Sequence, residues 1–516
     1  MYNSRFHFFP IMFLLLSLML VIAGCSSNSD KKPSNTVNSS PKKGGEAVLA
    51  YNNGYSSLDP MTSSSGSDQA ILWPIFDTLI TFTPDLQPKP GLAKSWEFTD
   101  DQTLTLHLQE GVKFHDGTSF DAEAVKFNIV RMNSKDSKTS DLKNVENVEV
   151  VDPSTVKLHL KQPDSSLILA LSDRGGMMVS PTAVKEKGEN FSQNPVGAGP
   201  YKLVKQVPNG EVVYEAFENY WQEGLPYLDK ITVKIMPEEN TRINSLKSGE
   251  VDFAFDISPG NVKTLKNNPN IEMTEILPLL GTKMYINSSM EPFNNKAVRL
   301  AVQHGINREA LISALNFGSG EPAAQAFPSD YWAADSSMKI EYDPEMSKKL
   351  LQEAGLKNVS FTMNHFAKSY ETRLAEAIKS QLKDIGIEVK LQPLEITAAA
   401  ASFYSEKEVP AYLASWSGRA DPQMTVSGLY SKNSFFKPGG HSRPDLEELI
   451  SKAASTYDQD QRAELYKEIS RIAVLEEAES IPLFFTPMVA AMNKQIKGYE
   501  HNKLGKPIFS TLWLEE

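Results

Sequence analysis

Hydrophobic residues recur along this chain at two spacings that take turns along its length. Leu104-Thr105-Leu106-His107-Leu108 alternates strictly, and so do Ile387, Val389 and Leu391. That period of two predicts half-buried strands. Glu46 to Tyr51, Val148 to Val151, Val156 to Leu160 and Ile481 to Phe485 read as further strands. Val125, Ile129 and Met132 instead share one helical face, with Asp121 placed to cap the helix before AEAVKFNIVRM. Helices are also predicted from Asn294 to Gly305 and from Asn307 to Leu315. Asp343-Pro344 opens another that Gly355 ends, and Tyr370 to Asp384 forms one closed by Gly386. Asp445 to Ser455 and Gln459 to Glu477 are amphipathic. Val196-Gly197-Ala198-Gly199-Pro200-Tyr201 is a glycine turn leading into a strand. Strands and helices mixed in both halves predict two α/β lobes, and no internal repeat is visible.

The first residues follow neither pattern. The run from Ile11 to Ala23 is apolar for 13 residues, against the ~20 needed to span a bilayer. Arg5 precedes it and Ile22-Ala23-Gly24-Cys25 ends it, which is the layout of a secretory signal with a small-residue cleavage site. It resembles the bacterial lipobox, in which the cysteine sulfur receives a diacylglycerol and becomes the mature N-terminus. Cys25 is the only cysteine, and two acyl chains suffice for stable anchoring. The alternatives are a buried core thiol or a plain membrane span. SSNSDKKPSNTVNSSPKK (26–43) is too polar to offset its ordering entropy and reads as a tether.

The remainder is too long for one hydrophobic core. Its composition, 41% hydrophobic and 22% charged, is that of a globular protein. A net charge of −12 argues against a nucleic-acid partner. No HExxH, GxSxG, GxxxxGK or complete GxGxxG occurs, and the 8 histidines are scattered. No protein-only metal site, cofactor or thiol nucleophile is expected. Carboxylates are plentiful, so a glycosidase pair stays open by counting, although nothing marks one out. What remains is a bilobed binding protein with its ligand between the lobes, and not an enzyme.

Several stretches carry a resemblance. GLAKSWEF (91–98), LTLHLQEGVKFHDGTSFDAEAVKFN (104–128), VGAGPY (196–201) and ENYW (218–221) are similar to family-5 extracellular solute-binding proteins. So are KAVRLAVQHGINREALI (296–312), YDPEMSKKLLQEAGL (342–356) and KGYEHNKLGKPIFSTLW (497–513), in the same order. These are the oligopeptide, dipeptide, glutathione and nickel-binding components of bacterial ABC importers. The resemblance implies an α/β, bilobed periplasmic-binding-protein-like fold of the cluster C type, with an extra subdomain in the larger lobe. It divides the chain into a signal peptide (1–24), a lipid-anchored linker (25–43), lobe I (44–283 plus 485–516) and lobe II (284–484). It implies a monomer, tethered outside the cell membrane, that passes a peptide or other small solute to a permease and ATPase complex. The same family leaves a nickel or metallophore ligand open; a surface enzyme or a peptide signal receptor is the reading from another class.

Ala414-Ser415-Trp416-Ser417-Gly418-Arg419-Ala420-Asp421-Pro422 looks like the family's Trp-to-Asp-Pro segment. There the resemblance gives Asp421 a ligand ammonium and makes Trp416 a flat wall. The plainer alternatives are that Asp421-Pro422 starts a turn and that Trp416 is a core residue. Dipeptide binders hold the ligand carboxylate with an arginine where this chain has Asn364 or His365; neither reproduces a guanidinium fork, and His365 is kept as a candidate for that carboxylate. Arg419 could substitute, unless it is a surface residue or a partner of Asp421. The opposite wall is implied at Leu58 to Gly66, with Ser64, Ser65 and Gly66 facing the solute, and a third at Gly281 to Tyr285, including Thr282.

Overall fold

The computed structural model describes residues 40–440 and 442–515. Cys25, the cleavage site before it and most of the expected tether lie outside them. Three larger sheets organise the described chain. A seven-stranded sheet runs, in spatial order, Ile271–Ile276, Met488–Asn493, Phe253–Ile257, Glu46–Tyr51, Lys230–Ile235, Glu211–Ala216 and Tyr201–Val207. A six-stranded sheet runs Glu321–Pro322, Ser480–Phe485, Gly281–Ile286, Ala411–Trp416, Val359–Phe366 and Ile387–Leu394. A four-stranded antiparallel sheet holds Ala93–Asp100, Thr103–Leu108, Thr155–Leu160 and Val145–Asp152.

The alternating segments become strands because register and burial agree. Leu104 lies opposite Leu158 and Leu106 opposite Val156, and all four are buried. A slip of one residue would turn this apolar set to solvent. Helices begin where a side chain meets the free amides of the first turn. Asp121 accepts from the Ala124 amide at 2.9 Å, Asn307 from Ala310 at 2.9 Å and Asp343 from Met346 at 2.8 Å. Gly355 and Gly386 follow their helices at φ of 70° and 87°, the left-handed region that favours glycine. One expected helix changes form. Gln459–Ser470 is α-helical, but Arg471–Glu476 widens into a π turn.

The chain passes between the two large sheets twice. It leaves the seven-stranded sheet after Ile276 and enters the six-stranded one at Gly281; it returns between Phe485 and Met488. The expected boundary at 283/284 would cut the strand Gly281–Ile286, which belongs wholly to the six-stranded sheet. The first crossing therefore lies a few residues earlier than expected. Met284, Leu413 and Ile481 pack with Val298, Leu374 and Ile378 on one face of the six-stranded sheet. A separate apolar cluster joins Leu86, Leu169 and Leu504 from one side of the crossings to Trp416, Val426 and Tyr466 from the other. Polar contacts accompany it. The Ser165 amide donates to the Ala454 carbonyl at 2.7 Å, and the Tyr457 hydroxyl to the Asp101 carbonyl at 2.8 Å. The rings of Phe98 and Tyr457 lie 4.2 Å apart. Among the described residues no helix is long and apolar enough to cross a membrane.

Candidate functional site

A cavity of 260 Å³ lies where these two parts meet. The six-stranded sheet supplies its aromatic wall. Gly281–Ile286 and Ala411–Trp416 pair antiparallel, with Trp416 opposite Gly281 and Tyr412 opposite Tyr285. Alternation then sends Tyr412, Ala414, Trp416 and Tyr285 to one face. The Tyr285 and Tyr412 rings stack at 6.0 Å, and Phe436 meets Trp416 edge-on at 5.1 Å. Lys283 sits on this face opposite Ala414 and is 3% exposed. Its ammonium lies 5.8 Å from the Tyr285 ring and 5.9 Å from Trp416. Burial pushes the Lys283 amine down to about 7.

The facing wall is polar and cationic. It is assembled from Ser64, Gly66, Gln69, Arg174 and Lys506. Gly66 allows the close approach of the walls, since a Cβ there would meet the Ser417 hydroxyl at 3.3 Å and the Lys506 ammonium at 3.9 Å. Arg174 is buried; one terminal nitrogen donates to the Ser63 carbonyl at 2.9 Å, while Nε has no partner. Gln69 donates to Asp173 at 2.5 Å and leaves its Oε1 unpartnered. Burial pushes the Lys506 amine down to about 8, although Asp173 pulls the other way. Burial opposes ionisation of Asp173 too, but Lys506 and Arg174 bring that carboxyl down to about 2. Arg419 lines the cavity from the opposite side. Three cations therefore converge on a space whose nearest carboxylate is already engaged.

The residues expected to form the site divide. Ser64, Gly66, Trp416 and Arg419 line the cavity together. Trp416 is both wall and core residue, 5% exposed and within the apolar cluster. Ser65 does not line it, because its hydroxyl caps a short helical turn by accepting from the Ser67 amide. Thr282 falls on the other face of its strand and bonds Ser415 at 3.2 Å. His365 is fully buried; its neighbour Phe366 lines the cavity, so alternation turns the imidazole away, to bond the Phe366 carbonyl through Nδ1. Asn364 is buried too, with both amide atoms unpartnered.

Asp421 requires the largest correction. It is 1% exposed and lines a different crevice with Arg462, Trp332 and Tyr457. Its carboxylate accepts from the Arg462 guanidinium and, at 2.8 Å, from the Gln423 amide, capping the helix Pro422–Tyr430. Burial pushes this carboxyl up, and Arg462 pulls it back. A ligand ammonium would have to displace a buried guanidinium, which is strongly unfavourable. Arg419 is not its partner. Lys283 falls within the expected third wall, Gly281 to Tyr285, whereas Arg174, Lys506 and Gln69 escaped the sequence reading, since no local pattern links positions so far apart. Among the described residues no group of three His, Cys, Asp or Glu could hold a metal ion.

Residues 87–437 match the family described as bacterial extracellular solute-binding proteins, family 5 Middle. The chain is 32% identical to the glutathione-binding protein GsiB of Salmonella paratyphi A over 471 residues, covering 88% of this chain and 91% of that one. Among solved structures it is similar to DppA of Helicobacter pylori, determined in complex with the peptide STSA. The TM-score is 0.81 at 25% identity, over 92% of this chain and 99% of DppA. AgaA from A. tumefaciens R10, bound to agropinic acid, has the same fold, with a TM-score of 0.80 at 24% identity over 92% and 99% of the two chains.

Proposed function

We propose, from the premise that the chain belongs to the bacterial extracellular solute-binding proteins of family 5, that it captures acidic solutes of the peptide class. Glutathione is the model ligand. The protein is a binding protein, not an enzyme, and works outside the cytoplasm. It would hand its ligand to an ABC permease. The observation that carries the ligand class is the convergence of Arg174, Arg419 and Lys506 on one aromatic-walled cavity. Charge-assisted bonds to carboxylates are the strong ones, and an arginine can make two in parallel. The GsiB likeness supports the same class, because glutathione carries two carboxylates. Asp421, held by Arg462, takes no part in this reading.

Two further elements belong to the proposal. Lobe I would comprise the seven-stranded and four-stranded sheets, and lobe II the six-stranded sheet, hinged at the two crossings. Cys25 would carry the lipid that keeps the protein at the membrane surface. Cys25→Ser should then release the protein from membranes, and unchanged retention would refute the anchor.

The ligand class is tested by calorimetry and thermal shift on the purified full chain. Reduced glutathione, a neutral tripeptide amide and nickel ions are compared. Bound ligand stabilises by RT ln(1 + [L]/Kd), about 2.7 kcal/mol at a hundredfold excess over Kd. Glutathione should raise Tm, whereas the amide and nickel should not. A shift with the amide equal to that with glutathione would overturn the acidic-ligand reading.

A further inference from the structure

The four-stranded sheet has no part in the cavity: among the described residues, none from its strands lines it. It meets the other side of the crossings at a joint of its own. Ser165, on the segment that leaves the strand Thr155–Leu160, sits against the C-terminal end of the helix Pro444–Ala454. Its amide donates to the Ala454 carbonyl at 2.7 Å and its hydroxyl to the Ala453 carbonyl at 3.0 Å. The last carbonyls of a helix have no partner within it. Here two of them are met from across the crossings by one serine that is 5% exposed. Tyr457 stands in the turn that follows, before the helix Gln459–Ser470. Its ring lies 4.2 Å from Phe98, and its hydroxyl donates to the Asp101 carbonyl at 2.8 Å. Phe98 in turn packs against the apolar cluster that holds Leu104, Leu106 and Leu158.

The joint lies at the end of the cleft away from the crossings. Gly418, which lines the cavity, abuts Leu279 in the first crossing; a Cβ on Gly418 would meet the Leu279 Cβ at 2.3 Å. The space continues past Trp416, Arg419 and Phe436 into a second chamber of 480 Å³. Ala454 lines that chamber, and so do Asp164 and Ser166 on either side of Ser165. The order is therefore crossing, cavity, second chamber, joint. Two bodies hinged at one end of a cleft separate most at the other, so these contacts break whenever the cleft opens. They suit that use. Hydrogen bonds between neutral groups and a single ring pair each have modest net strength, and water replaces the bonds once the surfaces part.

We propose that the four-stranded sheet is a clasp: through Ser165, Phe98 and Asp101 it grips Ala453, Ala454 and Tyr457 across the far end of the cleft and sets how fast a bound solute leaves. The inference rests on the lobes assigned above and gives the sheet a task within them. Phe98, Ser165 and Tyr457 are positioning residues. None of them lines the cavity, and they act on the solute only through the closure of the lobes.

The test measures glutathione association and dissociation by stopped flow on the full chain and on Tyr457→Ala, Tyr457→Phe and Ser165→Ala. Loss of the ring pair and its hydrogen bond should speed dissociation from Tyr457→Ala about 10- to 100-fold and leave association unchanged. Tyr457→Phe keeps the ring and Ser165→Ala removes one hydroxyl, so each should speed it only about 2- to 10-fold. These two variants carry the test if Tyr457→Ala does not fold. A merely structural role would lower the melting temperature and leave the rate constants of the folded protein alone. Small-angle X-ray scattering is the second readout. A radius of gyration that shrinks on binding, with dissociation unchanged in the variants, overturns the clasp and leaves the hinged lobes standing. An unchanged radius together with unchanged dissociation removes the hinged lobes and the clasp with them. If glutathione does not bind the wild type, the acidic-ligand reading fails and the clasp is decided without ligand. Tyr457→Ala, or Ser165→Ala in its place, should then have a larger radius of gyration than the wild type, and equal radii overturn the clasp.

Discussion

The two walls of the cleft are built in opposite ways. The wall from the six-stranded sheet is aromatic, nearly continuous in sequence from Ala411 to Arg419, and part of an apolar core. The facing wall gathers Ser64, Gln69, Arg174 and Lys506 from remote parts of the chain and leaves Arg174 Nε and Gln69 Oε1 without partners. The first wall is therefore bound up with folding and gives shape. The second adds little to folding and gives selectivity.

This comparison breaks most visibly at its structural side. Asp421→Asn leaves the Arg462 guanidinium buried without its counter-charge, which costs about 3–5 kcal/mol. Denaturant titration should show a midpoint lowered accordingly, while glutathione binding by the remaining folded protein persists. Loss of binding without loss of stability would return Asp421 to the ligand. Trp416→Ala removes a core ring that is also a wall, so stability should fall by about 3–5 kcal/mol and binding should fail with it. An affinity loss at unchanged stability would mean that the aromatic wall is separable from the core.

The cationic side should behave the other way. Lys506→Met keeps the stem but removes an ammonium that makes no hydrogen bond among the described residues. Glutathione affinity should drop about 10- to 100-fold, and the unliganded melting temperature should hold or rise, because a desolvated charge is gone. A fall in unliganded stability would show that Lys506 serves the fold through Asp173 instead.

The same difference explains how much could be read from the sequence. Strands such as Thr103–Leu108 and helices opened by Asp121, Asn307 and Asp343 were legible, because alternation and capping act within a few residues. Trp416 and Arg419 were legible because their wall is one stretch of chain. Asp421 was misassigned although a local signal was present: an acidic residue before proline is also an N-cap with proline at the first helical position. His365 was misassigned because a strand shows its alternation only once one residue is known to face the cavity. Arg174 and Lys506 carried no signal, since a charge's burial and neighbours are set by tertiary contacts. Gln69, which holds Asp173 beside them, is a short polar residue in a helical turn with nothing to mark it.

The smallest effect follows from the burial of Lys506. Its amine is pushed down to about 8 in the free protein, against about 10.4 in an unfolded chain. The unfolded state therefore binds more protons between these values, and this group's contribution to stability rises with pH across that window and is absent below it. A carboxylate ligand favours the protonated amine and raises its pKa again. Affinity should be flat below pH 7 and fall above about 8, by about fourfold between pH 7 and 8.5 for one group of this pKa. Glutathione's own amine and thiol titrate in the same range, so the effect is measured as the difference in slope between the wild type and Lys506→Met. Identical slopes would place Lys506 outside the carboxylate's reach and leave the two arginines as its only anchors.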